Sequence, residues 1–213
     1  MVGVGVNIMQ GNIDREKVIS EFSKRDVRGN DEGLIPEYNV LLNQLPTEFW
    51  NQFNERISTK VNPEFKKEAE RLLYNSAREY GYHTGWGIIT SDEFKSVVGP
   101  MIKDEPEDIL HGAYALFTAW GWAKTEIVEL DPGKKMIVRA YDYYESDVVK
   151  YGKSPKMSTY MIAGISAAFM DLAYGGEYPK GFNKYDCKQT KGIECGDDFA
   201  EFVVTSKQEQ NNW

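Results

Sequence analysis

Few side chains in this chain of 213 residues are of the kinds that do chemistry near neutral pH: two histidines, His83 and His111, and two cysteines, Cys187 and Cys195. Histidine titrates close to neutrality, and in a largely apolar cavity its ring can give or take one hydrogen bond. His111 has such a setting, since it follows Ile109-Leu110 and precedes Tyr114, Phe117, Trp120 and Trp122. Facing a cavity, it would orient a ligand hydroxyl or carbonyl; packed in a core, it would bond a backbone carbonyl. The residues alone leave both readings open. Tyr141 and Tyr143 are two apart in a strand-like stretch, so both hydroxyls should point to one face, either a cavity shared with His111 or solvent. Two cysteines and two histidines equal the ligand count of a tetrahedral zinc site. Cys187 and Cys195, with no close third ligand, read better as buried, inert thiols.

Signatures of common enzymes are missing. Gly164-Ile165-Ser166-Ala167-Ala168 lacks the last glycine of a hydrolase nucleophile turn. Gly3-Val4-Gly5 opens no dinucleotide-binding turn, and there is no phosphate-binding loop and no His-Glu-x-x-His.

The elements that must position these residues follow from periodicity. Residues 12–25 read as a helix with Asn12 or Asp14 as cap and Val18, Ile19 and Phe22 as its apolar stripe; residues 26–36 read as a loop. Helices are expected over 45–58 and 62–80, the second capped by Asn62, begun by Pro63 and ended by Gly81, with a turn over 82–89. Further helices follow over 91–101 and 105–120. At Gly121 the period changes from 3.6 to 2, giving a hairpin over 125–130 and 136–143 around Asp131-Pro132-Gly133. An apolar helix over 154–174 is narrowed by Gly164, Ala167 and Ala168, so something packs closely on it; strands over 182–189 and 199–205 close the chain. Paired strands flanking a helix imply an α+β architecture, an antiparallel sheet with helices on one face.

The formal net charge of −8 argues against direct nucleic-acid binding, and basic residues never run longer than a pair, so no polybasic membrane anchor is visible. Two cysteines make no disulfide framework. The start of the chain, Met1–Gly11, is apolar but too short for a signal peptide, and no apolar run reaches membrane-spanning length, so the cytoplasm is the expected location.

The segments Leu110-His111, Ala140-Tyr141-Asp142-Tyr143, Ala167-Ala168-Phe169-Met170 and Cys195-Gly196-Asp197-Asp198, in that order, resemble the V4R (4-vinyl reductase) domain, and within it the sensor domains of phenol- and xylene-responsive regulators. The resemblance spans roughly residues 80–205 and rests on order more than on any one motif. It implies an α+β fold similar to that of haem-based nitric-oxide sensors and a vesicle-tethering subunit. It also implies that His111 and either Tyr141 or Tyr143 hold the polar group of a ligand, where the family commonly has Trp in place of the tyrosine. The family's zinc ligands fall on Thr159, Lys184, Cys187 and Ala200, with Cys195 in a slipped register. That set is incomplete, so no metal or other cofactor is expected, and Cys187 and Cys195 are the weak metal candidates. With no ATPase or DNA-binding segment in view, the expectation is a stand-alone V4R-like domain.

The reading is therefore a small-molecule-binding protein that encloses a hydrophobic or aromatic, phenol- or hydrocarbon-like ligand between helices and sheet. His111, Tyr141 and Tyr143 would lie near its polar end, with Phe117, Trp120, Trp122, Tyr160 and Phe169 as walls. Residues 1–60 would form an N-terminal helical arm, a possible dimerisation element, and 61–213 the binding domain; a homodimer is expected. Two alternatives stand beside it: an enzyme of the 4-vinyl reductase type, or a hydrolase or lyase on an aromatic or tetrapyrrole substrate, with His111 and Tyr143 as acid and base; and a structural assembly subunit whose aromatics form an interface.

Overall fold

Most predicted helices and strands form, and the departures are what shape the site. The computed structural model describes residues 11–146, 148 and 152–207; the apolar start, residues 1–10, lies outside them. Helix α1 (Arg15–Ser23) opens at Asp14, whose side chain accepts from the Lys17 amide at 3.0 Å, the expected cap. Strands β1 (Ile35–Glu37) and β2 (Val40–Leu42) pair as a small hairpin within a stretch expected to begin as loop. Helix α2 (Thr47–Lys60) follows; its Phe49 and Phe53 stack at 6.3 Å and are about half exposed.

Helix α3 (Lys66–Thr90) runs 25 residues and does not stop at Gly81. This corrects the expected helix end and the turn over 82–89. Gly81 lies inside the helix because a neighbour leaves no room for a side chain. A Cβ there would stand 3.1 Å from both Ala168 Cβ and Ile165, and one at Gly85 would stand 2.8 Å from Leu172. The partner is α6 (Tyr160–Tyr174), where a Cβ at Gly164 would fall 2.6 Å from the Tyr74 carbonyl oxygen. The two helices thus meet backbone to backbone. The helix begins at Tyr160 rather than at residue 154, because Thr159 leaves the helical region.

Between them lie α4 (Asp92–Val97), which ends before Gly99-Pro100, and α5 (Glu105–Ala119). The main sheet has four antiparallel strands in the order β3 (Ala123–Asp131), β4 (Lys135–Tyr143), β6 (Ala200–Ser206), β5 (Tyr185–Lys191). Its inner face, with Ile127, Met136, Val138, Phe202 and Val204, packs on Leu110, Tyr114 and Ile165 of α5 and α6. Its outer face carries the pairs Arg139–Glu201 at 3.0 Å and Lys135–Glu129 at 2.9 Å. The architecture is α+β, as expected. A second apolar cluster joins Ile13, Val18, Phe22 and Tyr38 to Phe94, Val98 and Leu116, so α1 and the small hairpin seal the far side of α5. No helix among the described residues is long and apolar enough to cross a membrane.

A buried ion pair locks α3 to α6. Arg78 donates to Asp171 Oδ2 at 2.9 and 3.1 Å, and both side chains are almost fully buried. Asp171 also accepts the backbone amides of Asn183, Lys184 and Tyr185 at 2.7–3.0 Å, while Arg78 reaches the Asn183 side chain and the Tyr185 carbonyl. A buried charge is tolerable only when partnered this fully. Two substitutions test the seam by urea denaturation. Gly164→Ala should cost about 1–3 kcal/mol, because the opposing atoms include backbone. Asp171→Ala, which strands the Arg78 cation, should cost about 3–5 kcal/mol. Wild-type stability in both variants would contradict this packing.

Candidate functional site

The helix face that the sequence marks as aromatic does line a cavity. On α5, Ala113, Leu116, Phe117 and Trp120 recur at helical spacing and share one face. Opposite, α3 presents Tyr80, Gly81, Thr84, Gly85, Ile88 and Ile89, and α6 presents Ile165 and Phe169. Trp122, just after α5, closes one side: it stacks on Phe117 at 5.4 Å and on Tyr80 at 6.1 Å, while Phe117 stands edge-on to Phe169 at 6.2 Å. The void measures about 40 Å³, within an open recess of about 450 Å³. An apolar cavity of roughly 150 Å³ holds one benzene, so a ligand of one aromatic ring enters only when wall side chains move. Among the described residues no charged side chain lines the cavity, and Thr84 and Tyr80 bring hydroxyls to it.

Of the residues singled out from sequence, Phe117, Trp120, Trp122 and Phe169 come together on these walls, and the others lie elsewhere. His111 is buried near the start of α5, beside Gly11, with Glu107 Oε1 3.9 Å from its Nε2. Its Nδ1 has no hydrogen-bond partner among the described residues. Asp108, one turn earlier on the N-terminal side, accepts from the amides of Asn12, Lys103 and Asp104 at 2.7–3.0 Å and so ties the N-terminal segment to α5. Burial depresses the His111 pKa to about 4 from 6.5; Asp108 opposes the shift and Arg15 adds to it.

The paired tyrosines part company. Tyr141 lies on the outer face, 40% exposed, and donates to Glu126 at 2.8 Å. Tyr143 is buried. The expected common direction fails because β4 carries a bulge: Thr125 pairs with Ala140, but Ala123 pairs with Tyr143, so two residues of β4 sit opposite one of β3. The alternation slips by one and Tyr143 turns inward. Its hydroxyl donates to Glu194 and accepts the Ile193 amide at 3.0 Å. Burial first, and the Glu194 charge with it, push that phenol well above its ordinary range.

Glu194 gathers further donors, Thr159 Oγ1 at 3.0 Å, Gln189 Nε2 at 2.8 Å and the Ser158 amide at 3.2 Å. Thr159, onto which the resemblance carries a zinc cysteine, is thus part of a hydrogen-bonded knot. Tyr160 lines a separate polar recess beside Glu145 and Glu194. Glu145 accepts the Met161 and Ile162 amides at 3.2 Å and caps α6, and burial raises its pKa to about 8. Cys187 and Cys195 are free thiols; burial pushes both up. Among the described residues no three His, Cys, Asp or Glu side chains gather as metal ligands would.

The second half of α3, Thr84 to Ile89, is the wall that local pattern does not announce, because Gly81 has the form of a helix end. The usable signal was the spacing Gly81-x-x-x-Gly85 matched by Gly164-x-x-x-Ala168, small residues one helical turn apart on two helices.

An α+β fold with an antiparallel four-stranded sheet and an aromatic cavity among its helices is the arrangement in hand. The phenol-responsive sensory domain of the transcription activator PoxR, in its crystal structure with phenol, shares that fold: the two superpose with a TM-score of 0.67 over 91% of this chain and 90% of that one, at 13% sequence identity. A trafficking protein particle complex subunit 3 from Naegleria fowleri, covalently bound to palmitic acid, superposes with a TM-score of 0.49 over 76% of this chain and 95% of that one, at 14% identity. No family model and no curated protein sequence matches the chain.

The depressed His111 pKa has a consequence for stability. The unfolded chain takes up this proton near pH 6.5, whereas the folded one resists it down to about pH 4. The contribution is therefore complete above pH 6.5 and lost as the pH falls toward 4. Across that window wild type should lose on the order of 1–3 kcal/mol more than His111→Gln, measured by urea denaturation. Parallel pH profiles would place the imidazole in contact with solvent.

Proposed function

We propose that this chain encloses a small, neutral, largely apolar molecule between α3, α5 and α6, with Phe117, Trp120, Trp122 and Phe169 as its aromatic walls. The observation that carries this reading is the cavity itself: it is apolar and bounded by rings in stacked and edge-on pairs. An apolar recess with few polar groups is the usual form of a small-molecule site. The shared fold with a phenol-responsive sensory domain supports the same class of ligand. Among the described residues the walls bring no carboxylate, imidazole or thiol to the cavity, which favours binding over turnover. His111, Tyr141, Tyr143 and Tyr160 act in this reading as structural groups, each occupied or placed away from these walls.

Toluene titration followed by tryptophan fluorescence tests it, since Trp120 and Trp122 both line the cavity. Wild type should give a saturable change. Thr84→Leu, which adds bulk to the wall while keeping a good helix former, should weaken the affinity at least ten-fold with an unchanged thermal melt. A change that never saturates, or equal affinity in the two proteins, would contradict the proposal.

A further inference from the structure

The polar recess at the N-terminal end of α6 is the larger of the two. It measures about 400 Å³, against about 40 Å³ for the void among α3, α5 and α6. Small-molecule sites occupy roughly 300–1,000 Å³, so this recess has ligand size with no ring displaced. Its chemistry is the reverse of the first: apart from Val148, Gly152 and Pro155, every described residue that lines it is polar or charged.

Charges of both signs stand unmatched on its walls. Glu145 and Glu194 both line it. Among the described residues Glu145 Oε2 accepts one bond, from the Ile162 amide, and Glu194 Oε2 accepts one, from Tyr143. A carboxylate has room for about four donors, so each keeps an acceptor site. Burial raises the Glu145 pKa to about 8 against the pull of the Met161 and Ile162 amides, and the Glu194 charge adds to the rise. A cation beside the pair would relieve both the lost solvation and the repulsion. No neighbour supplies one: burial holds Tyr144, next to Glu145, and Tyr160 of α6 as neutral phenols. The Tyr160 hydroxyl is itself without a hydrogen-bond partner among the described residues, and Glu70 near it is held by Lys156. Buried hydroxyls are almost always satisfied by something. Lys66 and Lys153 also line the recess, and among the described residues neither has an ion pair or a hydrogen bond through its ammonium group.

We infer that this recess binds a zwitterion, an amino acid or short peptide, whose ammonium bonds Glu145 and Glu194 and whose carboxylate meets Lys66 and Lys153. The Tyr160 hydroxyl donates and accepts, so it can serve an amine or a peptide group of the same molecule. A ligand carrying one sign of charge is disfavoured, because it meets like charge on part of the wall. The recess shares no lining residue with the apolar one. The inference therefore stands apart from the proposed function and adds a second site to it.

Calorimetric titration with triglycine, N-acetyltriglycine and triglycinamide at pH 6.5 tests the assignment, since the first blocked peptide lacks the ammonium and the second the carboxylate. Wild type should bind triglycine saturably and each blocked peptide at least ten-fold more weakly. Lys153 is exposed, so Lys153→Ala should fold normally. It should weaken triglycine about five-fold or more and leave triglycinamide and toluene unchanged. At pH 6.5 Glu145 holds a proton, whereas the peptide's amine is charged. Binding should therefore release up to one proton, read from the heat in buffers of different ionisation enthalpy, and Glu145→Gln should abolish that release. No saturable heat with triglycine, equal affinity for the three peptides, or no proton release in wild type would overturn the assignment. Triglycine binding without toluene binding would leave this site standing and sink the apolar one.

Discussion

Backbone contact between α3 and α6 sets the spacing of the helical layer. It exists because Gly81 faces Ala168 and Ile165, while Gly164 faces the Tyr74 carbonyl and Ala77. Helices joined by such small residues sit closer than the 8–10 Å usual for larger ones. The buried Arg78–Asp171 pair holds that register. Asp171 accepts three successive backbone amides at the entry to β5, so the same carboxylate fixes how the sheet's edge strand meets α6. Removing either charge alone strands the other in a medium that cannot solvate it, which makes the pair indispensable whatever its net contribution.

The cavity follows from a contrast of side-chain size. Where α3 meets α6 the side chains are absent or small; where both face α5 they are Phe117, Trp120 and Phe169. Large rigid rings bridging a gap set by small neighbours pack imperfectly, and rings in stacked and edge-on pairs can turn without losing all contact. The far side of α5 is closed by α1 and the β1–β2 hairpin, through Ile13, Phe22 and Tyr38. Tyr80 of α3 is the most exposed of the residues that line the recess.

Much of this was legible in the residues. The Asp14 cap, the aromatic face of α5, the β3–β4 hairpin and the narrow face of α6 all follow from local pattern, because each is decided by neighbours a few positions away. What was hidden depended on distant ones. Gly81 has the form of a helix end, and only the approach of Ile165 and Ala168 makes it a packing residue. The β1–β2 turn uses Tyr38 and Asn39, both in the left-handed region, without the glycine that announces such a hairpin. The bulge that separates Tyr141 from Tyr143 arises from pairing with β3 and leaves no mark in β4 alone.

A dry, accessible void among α3, α5 and α6 is the claim on which the functional account stands, and a noble gas probes it without asking any ring to move. In crystals under xenon pressure, the account predicts a xenon atom bounded by Phe117, Phe169, Trp122 and Ile88, since apolar cavities of this kind stay empty of water and take up xenon. Density for ordered water there, or xenon bound only elsewhere in the molecule, would contradict it.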